Sequence, residues 1–367
     1  MHKDILMKAV VYEKFGPPEV LHLAEVEKPT PQDDEVLVRV YATTVNYGDL
    51  LGRNFSNTSP GEFHMPFLFW LLARFDFGLR EPKKQSLGSE FAGEIEATGK
   101  DVTRFKPGDR VFGYPGQRMG AYAEYLCLPA DGTLALMPDN LSYEEAAVVP
   151  YGAITALSLL HKVNLQPGQK VLINGASGGI GSAAVQLARY YGAEVTGVCG
   201  TPRVAFVKSL GADRVIDYTQ QDFTQNGETY DLIFDILGKS SFSRCKNSLK
   251  EDGIYLLASF KLRQLAQMLW TSLTSRRKVV CALSTDSPKD LDFVKELVEA
   301  GQFQALVARC FPLEQAAQAH RYAESGQKAG PVVISLDPSG NCEPSIAERT
   351  ARDTDQALSP VAEMALD

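Results

Sequence analysis

Residues 171–181 read VLINGASGGIG, an apolar run that ends in a glycine-rich turn, and a helical pattern follows at once over 182–191. Strand, turn and helix in that order make a dinucleotide pyrophosphate site. Backbone N–H groups of the turn and the positive end of the helix face the phosphates, and glycine removes side chains that would block close approach. Gly175, Ser177, Gly178, Gly179, Ile180 and Gly181 are the expected cradle.

The next apolar strand, 194–199, should end where the adenosine ribose of such a cofactor lies. Folds that prefer NADH place Asp or Glu there to bind the ribose 2′-hydroxyl. No acid stands between Val195 and Ala212, and Thr201, Arg203 and Lys208 occupy the stretch instead. A hydroxyl followed by a guanidinium suits a 2′-phosphate, which takes charge-assisted hydrogen bonds. The expected cofactor is NADPH, with Thr201 and Arg203 at its phosphate; solvated charges opening a helix are the plainer alternative.

Around this motif the 367 residues divide into two textures. Residues 1–150 are rich in short alternating strands (8–12, 35–42, 90–98, 110–112 and 121–128) punctuated by Gly and Pro turns. They predict a compact, partly barrel-like β domain. Over 151–290, strands at 170–174, 194–199, 214–217, 231–236, 253–259 and 279–283 mostly alternate with helical patterns, the rhythm of a doubly wound parallel sheet. Residues 291–336 should pack back on the first domain. Residues 337–367, rich in Ser, Pro, Glu, Asp and Ala without an aromatic, are expected to form a disordered tail.

The formal net charge of −8 argues against nucleic acid as the main partner. Six cysteines occur without a C-x-x-C pair, five of them in apolar contexts, which suggests free thiols in a reducing compartment. The chain opens MHKDILMK, without a secretory pattern, and has no apolar run long enough to span a bilayer. The expected location is cytoplasmic.

Several further motifs stand in order along 7–336. They are VNYGD at 45–49 with Arg53, LGSEFAG at 87–93, FKPGDRVFG at 105–113, GAYAEY at 120–125, LGAD at 210–213 and VIDY at 215–218. Together with the glycine turn they make the chain resemble the medium-chain dehydrogenase/reductase superfamily, in its zinc-free quinone oxidoreductase-like branch. The resemblance implies an α/β protein with an N-terminal GroES-like domain, a Rossmann domain, and NADPH and substrate in the cleft between them. It adds Tyr218 beside the adenosine phosphate, and Thr155, Leu237, Ser259 and Phe260 complete the expected cofactor set.

Zinc enzymes of this superfamily carry a Cys where Asn46 stands and Gly-His-Glu where Gly88, Ser89 and Glu90 stand; their third thiolate falls near Pro150 or Tyr151. Catalytic zinc needs three protein ligands, so the expectation is no metal. The glycine turn also resembles short-chain dehydrogenases, but those need a Lys four residues after a Tyr, and no Tyr here has one.

Without a Lewis acid, hydride delivery suits acceptors that are already electron-poor: a quinone or an α,β-unsaturated carbonyl. Asn46 is the expected orienting residue. Asp49 and Arg53 follow at i+3 and i+7, on one helical face, either in the site or as a structural ion pair. Related enoyl reductases carry a Tyr after the Asp motif as proton donor; 54–67 has none. Tyr47 stands in as candidate, with packing or water as the alternatives. The competing reading is an NADPH-binding interaction or membrane-associated partner protein without a metabolic substrate.

Residues 60–84 form an aromatic insertion whose core reads MPFLFWLLARFDFGL. It roofs the cleft for a small apolar substrate, meets an oligomer partner or a membrane surface, or fills its own domain; the sequence leaves these open. Lastly, strand 279–283 should form the open edge of a sheet of order 3-2-1-4-5-6, and pairing of two such edges predicts a homodimer.

Overall fold

The computed structural model describes residues 6–337 except 327 and 329. The expected tail, apart from Asp337, and Cys342 with it, lie outside the described residues. Antiparallel strands β1 (Leu6–Val11) and β2 (His22–Glu27) pair first. Strand β3 (Glu35–Thr44) is the spine of the first domain: its Val36, Leu37, Val38 and Val40 are buried. After it come helices α1 (Tyr47–Arg53) and α2 (Phe67–Phe77), then β4 (Phe91–Thr98), β5 (Arg110–Gly113), β6 (Tyr125–Pro129) and β7 (Leu134–Leu136).

Short α3 (Tyr143–Ala147) and the longer α4 (Pro150–His161) lead into the second unit. There β8 (Lys170–Asn174), α5 (Gly179–Tyr190), β9 (Glu194–Cys199), α6 (Val204–Ser209), β10 (Arg214–Asp217), β11 (Tyr230–Asp235), α7 (Phe242–Cys245), β12 (Leu249–Leu257), α8 (Leu262–Thr274), β13 (Lys278–Cys281) and α9 (Pro288–Glu299) follow in turn. The strands form one parallel sheet of six in the order β10-β9-β8-β11-β12-β13, the expected 3-2-1-4-5-6. The fold is the expected GroES-like domain plus Rossmann sheet. Helices cover both faces, so β8 buries Val171, Leu172 and Ile173 without alternation.

The chain then returns to the first domain. Strand β14 (Arg309–Pro312), helix α10 (Ala316–Glu324) and strand β15 (Val332–Ser335) complete its sheet, where β15 pairs antiparallel with β3.

One expectation requires correction: the edge at β13 is not open. Ala282 N–H bonds Leu257 within the sheet. The outward amides are taken by α8, which lies along the edge: Val279 N–H donates to Thr271 Oγ1 at 3.0 Å and Cys281 N–H to Met268 Sδ at 3.4 Å. Side chains of a covering helix satisfy the donors a second copy would need. Two of the donors that the expected edge pairing would use are thus already taken within the chain. Among the thiols, Cys127, Cys199, Cys245 and Cys281 are free, whereas Cys310 is disulfide-bonded and departs from the free-thiol expectation.

Candidate functional site

The cofactor side is built at the carboxyl ends of the parallel strands. After β8 the chain turns at Gly175, whose φ of +94° favours glycine. A Cβ on Gly181 would stand 2.0 Å from the Gly175 carbonyl oxygen, and one on Gly152 would stand 2.4 Å from that of Gly179. These approaches lock α4, the turn and α5 together and leave the amino end of α5 unobstructed by side chains. Thr155 lies one turn along α4 from Gly152 and is buried. Leu237 overhangs Gly175, where an added Cβ would meet its Cγ at 3.0 Å. Ser259 follows β12 beside Gly238. Phe260 is different: its ring is buried in the core with Tyr255 and Leu257, so only its backbone is free to serve a ligand.

At the end of β9, Tyr218 lies over Gly200, an added Cβ there meeting the phenol oxygen at 3.2 Å. The Thr201 hydroxyl donates to Asp217 at 2.6 Å and is not left open as expected. Arg203 Nη2 donates to the Gly326 carbonyl at 2.7 Å, while its Nε is buried with no hydrogen-bond partner among the described residues. Lys328, from the loop before β15, is held below its ordinary pKa by burial and then by Arg203. The two cations interact, and the orphan donor of Arg203 is suited to an anion. Lys328 escaped the sequence reading because it stands 125 positions from Arg203 in the chain.

The opposite wall comes from the first domain. Asn46 caps α1 and accepts from Gly48 N–H at 2.9 Å. Its Nδ2 donates to Ser89 Oγ at 2.6 Å. Asp49 closes the capping box, accepting from Asn46 N–H and Gly88 N–H, each at 3.0 Å. It is fully buried, and burial pushes its carboxyl up to about 7 against those hydrogen bonds. Glu90 is likewise pushed up to about 7 by burial, although Thr44 Oγ1 donates to it and Tyr151 N–H donates at 2.9 Å.

Arg53 is not brought to this group. It is buried and turned toward α10, donating to His320 Nδ1 at 3.0 Å and to the Gly16 carbonyl at 3.1 Å, and pairing with Glu324. No ion pair joins it to Asp49 among the described residues. Burial and Arg53 hold His320 well below its ordinary pKa, so its neutral ring bridges Arg53 to the Tyr122 hydroxyl at 2.9 Å.

Tyr47, 54% exposed, opens α1 at the surface. Tyr114 and Tyr151, which the sequence did not single out as site residues, have ring centroids 5.7 Å apart. Burial first, then nearby Glu90, Asp49 and Asp286, push both hydroxyls upward, and Tyr47 adds to the effect on Tyr151. Both remain protonated donors at neutral pH. Tyr151 occupies the position read from sequence only as the place of an absent thiolate. Tyr114 gave no sequence signal.

The chain is similar to known proteins along most of its length. Residues 32–139 match the alcohol dehydrogenase GroES-like domain family and residues 210–334 the zinc-binding dehydrogenase family. The chain is 33% identical over 328 residues to a quinone oxidoreductase of Sus scrofa, covering 86% of this chain and 93% of that one. It is 29% identical to the mitochondrial NAD(P)H oxidoreductase RTN4IP1 of Mus musculus, covering 91% and 90%. The solved quinone oxidoreductase of Coxiella burnetii superposes with a TM-score of 0.78 at 28% identity, over 91% of this chain and all of that one.

Proposed function

Because the chain belongs to the quinone oxidoreductase-like branch of the medium-chain dehydrogenase/reductase superfamily, we propose that it reduces a quinone or an α,β-unsaturated carbonyl at the expense of NADPH, without zinc. It is an oxidoreductase of a family that binds a nicotinamide cofactor.

The observation that carries the reading is the Asn46–Ser89 contact of 2.6 Å. An amide and a hydroxyl, hydrogen-bonded to each other, stand at two positions where zinc relatives place thiolate and imidazole. Neither is a ligand type that zinc favours. The cradle at Gly175 and Gly181 suits a pyrophosphate, and the paired cations Arg203 and Lys328 suit a 2′-phosphate. NADPH, when bound, supplies the hydride. The protein's part is orientation and hydrogen bonding. Ser89 Oγ accepts from Asn46 Nδ2 and donates to Asp49 Oδ1 at 3.5 Å, which holds the Asn46 amide in place. Tyr47, Tyr114 and Tyr151 supply further donors for the oxygen on which negative charge develops. Water delivers the final proton at the exposed Tyr47 end.

The test is NADPH oxidation with a panel of 1,2- and 1,4-quinones and alkenals, with metal analysis of the same preparation. Turnover that chelators leave unchanged, and that Asn46→Ala lowers by about 10-fold or more through lost orientation, supports the reading. Cofactor binding without turnover on any acceptor, or one zinc per chain, overturns it.

A further inference from the structure

We propose that helices α2 and α8 form a docking surface for an anionic lipid bilayer. The proposal stands apart from the quinone reading and rests on how these helices distribute apolar and charged groups. Among the described residues, eighteen large hydrophobic side chains are exposed, and nine of them lie on these two helices. Scattered singly, such residues are ordinary; gathered on two helices, they mark a contact.

Helix α8 has two apolar faces. Leu265, Met268 and Thr271 turn inward and cover β13. Leu262, Ala266, Leu269, Trp270 and Leu273 are exposed at i, i+4, i+7, i+8 and i+11, an outward stripe along the whole helix. Leu273 is 87% exposed and Trp270 56%. In α2, Leu68, Leu72 and Phe75 repeat the i, i+4, i+7 spacing on an exposed face. The segment that leads into α2 is tied to α8: Lys261 Nζ donates to the Gly61 carbonyl at 2.6 Å, and Met65 packs into the cluster that holds Leu265 and Met268.

Charge selects the occupant. In a chain of net −8, residues 261–278 hold five basic residues and no acid. Arg276 is engaged by Glu251 and Asp252, but Arg263 and, after α2, Arg80 form no ion pair among the described residues. An apolar stripe carrying Leu and Trp beside basic side chains is the pattern of a helix lying in the headgroup plane, attracted by anionic lipid. A second copy seated on α8 about a two-fold axis would set basic against basic. No helix among the described residues is long and apolar enough to cross a membrane, so contact through this face is superficial.

Co-sedimentation of the full chain with phosphatidylcholine vesicles, with and without phosphatidylglycerol, tests this. A Trp70→Phe background leaves Trp270 as the sole indole reporter. Binding should require phosphatidylglycerol, weaken with salt, and shift Trp270 emission to the blue. Leu269→Glu and Leu273→Glu should each weaken it by roughly 10-fold or more, since each removes a leucine from the outward stripe. Both positions are exposed, so thermal melting and cofactor affinity should stay as in wild type. Absence of binding at low salt, or undiminished binding by both variants, overturns the proposal. So does light scattering that shows a dimer lost in Leu269→Glu, which assigns the stripe to self-association.

Discussion

The carboxylate of Glu90 accepts the backbone N–H of Tyr151 at 2.9 Å, so an acid beside β4 caps the amino end of α4. This contact crosses from the antiparallel domain to the helix that packs against the nucleotide turn. It ties the two cleft walls to each other.

Glu90 and Asp49 should make stability fall as pH rises. Their ordinary values of 4.5 and 3.8 are raised to about 7 in the folded protein. Between those limits the native state binds more protons than the unfolded state. Stability is therefore fullest below the unfolded values and is lost as pH climbs through the folded ones, levelling above about 7. The loss is on the order of 3 kcal/mol per group. Denaturation midpoints of wild type, Glu90→Gln and Asp49→Asn between pH 4 and 8, ranges set by those pKa values, measure it. A slope unchanged in both variants would refute the assignment.

Arg203→Ala should weaken NADPH binding by about 10- to 100-fold, the worth of one or two charged hydrogen bonds. NADH affinity should change by less than about twofold, because it lacks the phosphate. Titration of both cofactors against both proteins decides the matter. Equal NADPH affinities would remove Arg203 from the site.

His320→Ala should cost about 2–4 kcal/mol, because it strands a buried guanidinium N–H of Arg53 and leaves the Tyr122 hydroxyl with the Thr44 carbonyl alone. His320 is depressed in the fold, so its contribution is present above its ordinary 6.5 and is lost as pH falls below that value. Urea unfolding at neutral and mildly acidic pH reads both effects. A variant within about 0.5 kcal/mol of wild type would contradict the network.

Thr271→Val keeps the shape of α8 but deletes the acceptor of Val279 N–H. A loss of about 1–3 kcal/mol is expected, with Thr271→Ser close to wild type. Faster hydrogen exchange at the Val279 amide in the valine variant is the specific signature. Unchanged exchange would show that the edge does not depend on this contact.

These features differ in how far the chain announces them. The turn at Gly175–Gly181 was legible because close backbone approach dictates glycine at fixed spacing, and the sheet order followed from the βα rhythm. Arg53 was misplaced beside Asp49 by helical spacing alone; its real partners, His320 and Glu324, come from a helix more than 260 positions later. Glu90 was read only through an absent metal motif, which concealed its bond to Tyr151. The open edge at β13 failed for a related reason. Local pattern identifies an apolar strand but not the helix whose second apolar face covers it.

That covering helix gives the fold a point of failure. A nick that detached α8 would strip the acceptors from two amides and uncover the run VVCAL at 279–283, short, β-prone and uncharged. The nucleotide turn, several strands away, would be left intact, so a damaged chain could still hold its cofactor while its sheet began to template the growth of aggregates. Loss of α8 would thus be felt first as precipitation and only later as lost chemistry.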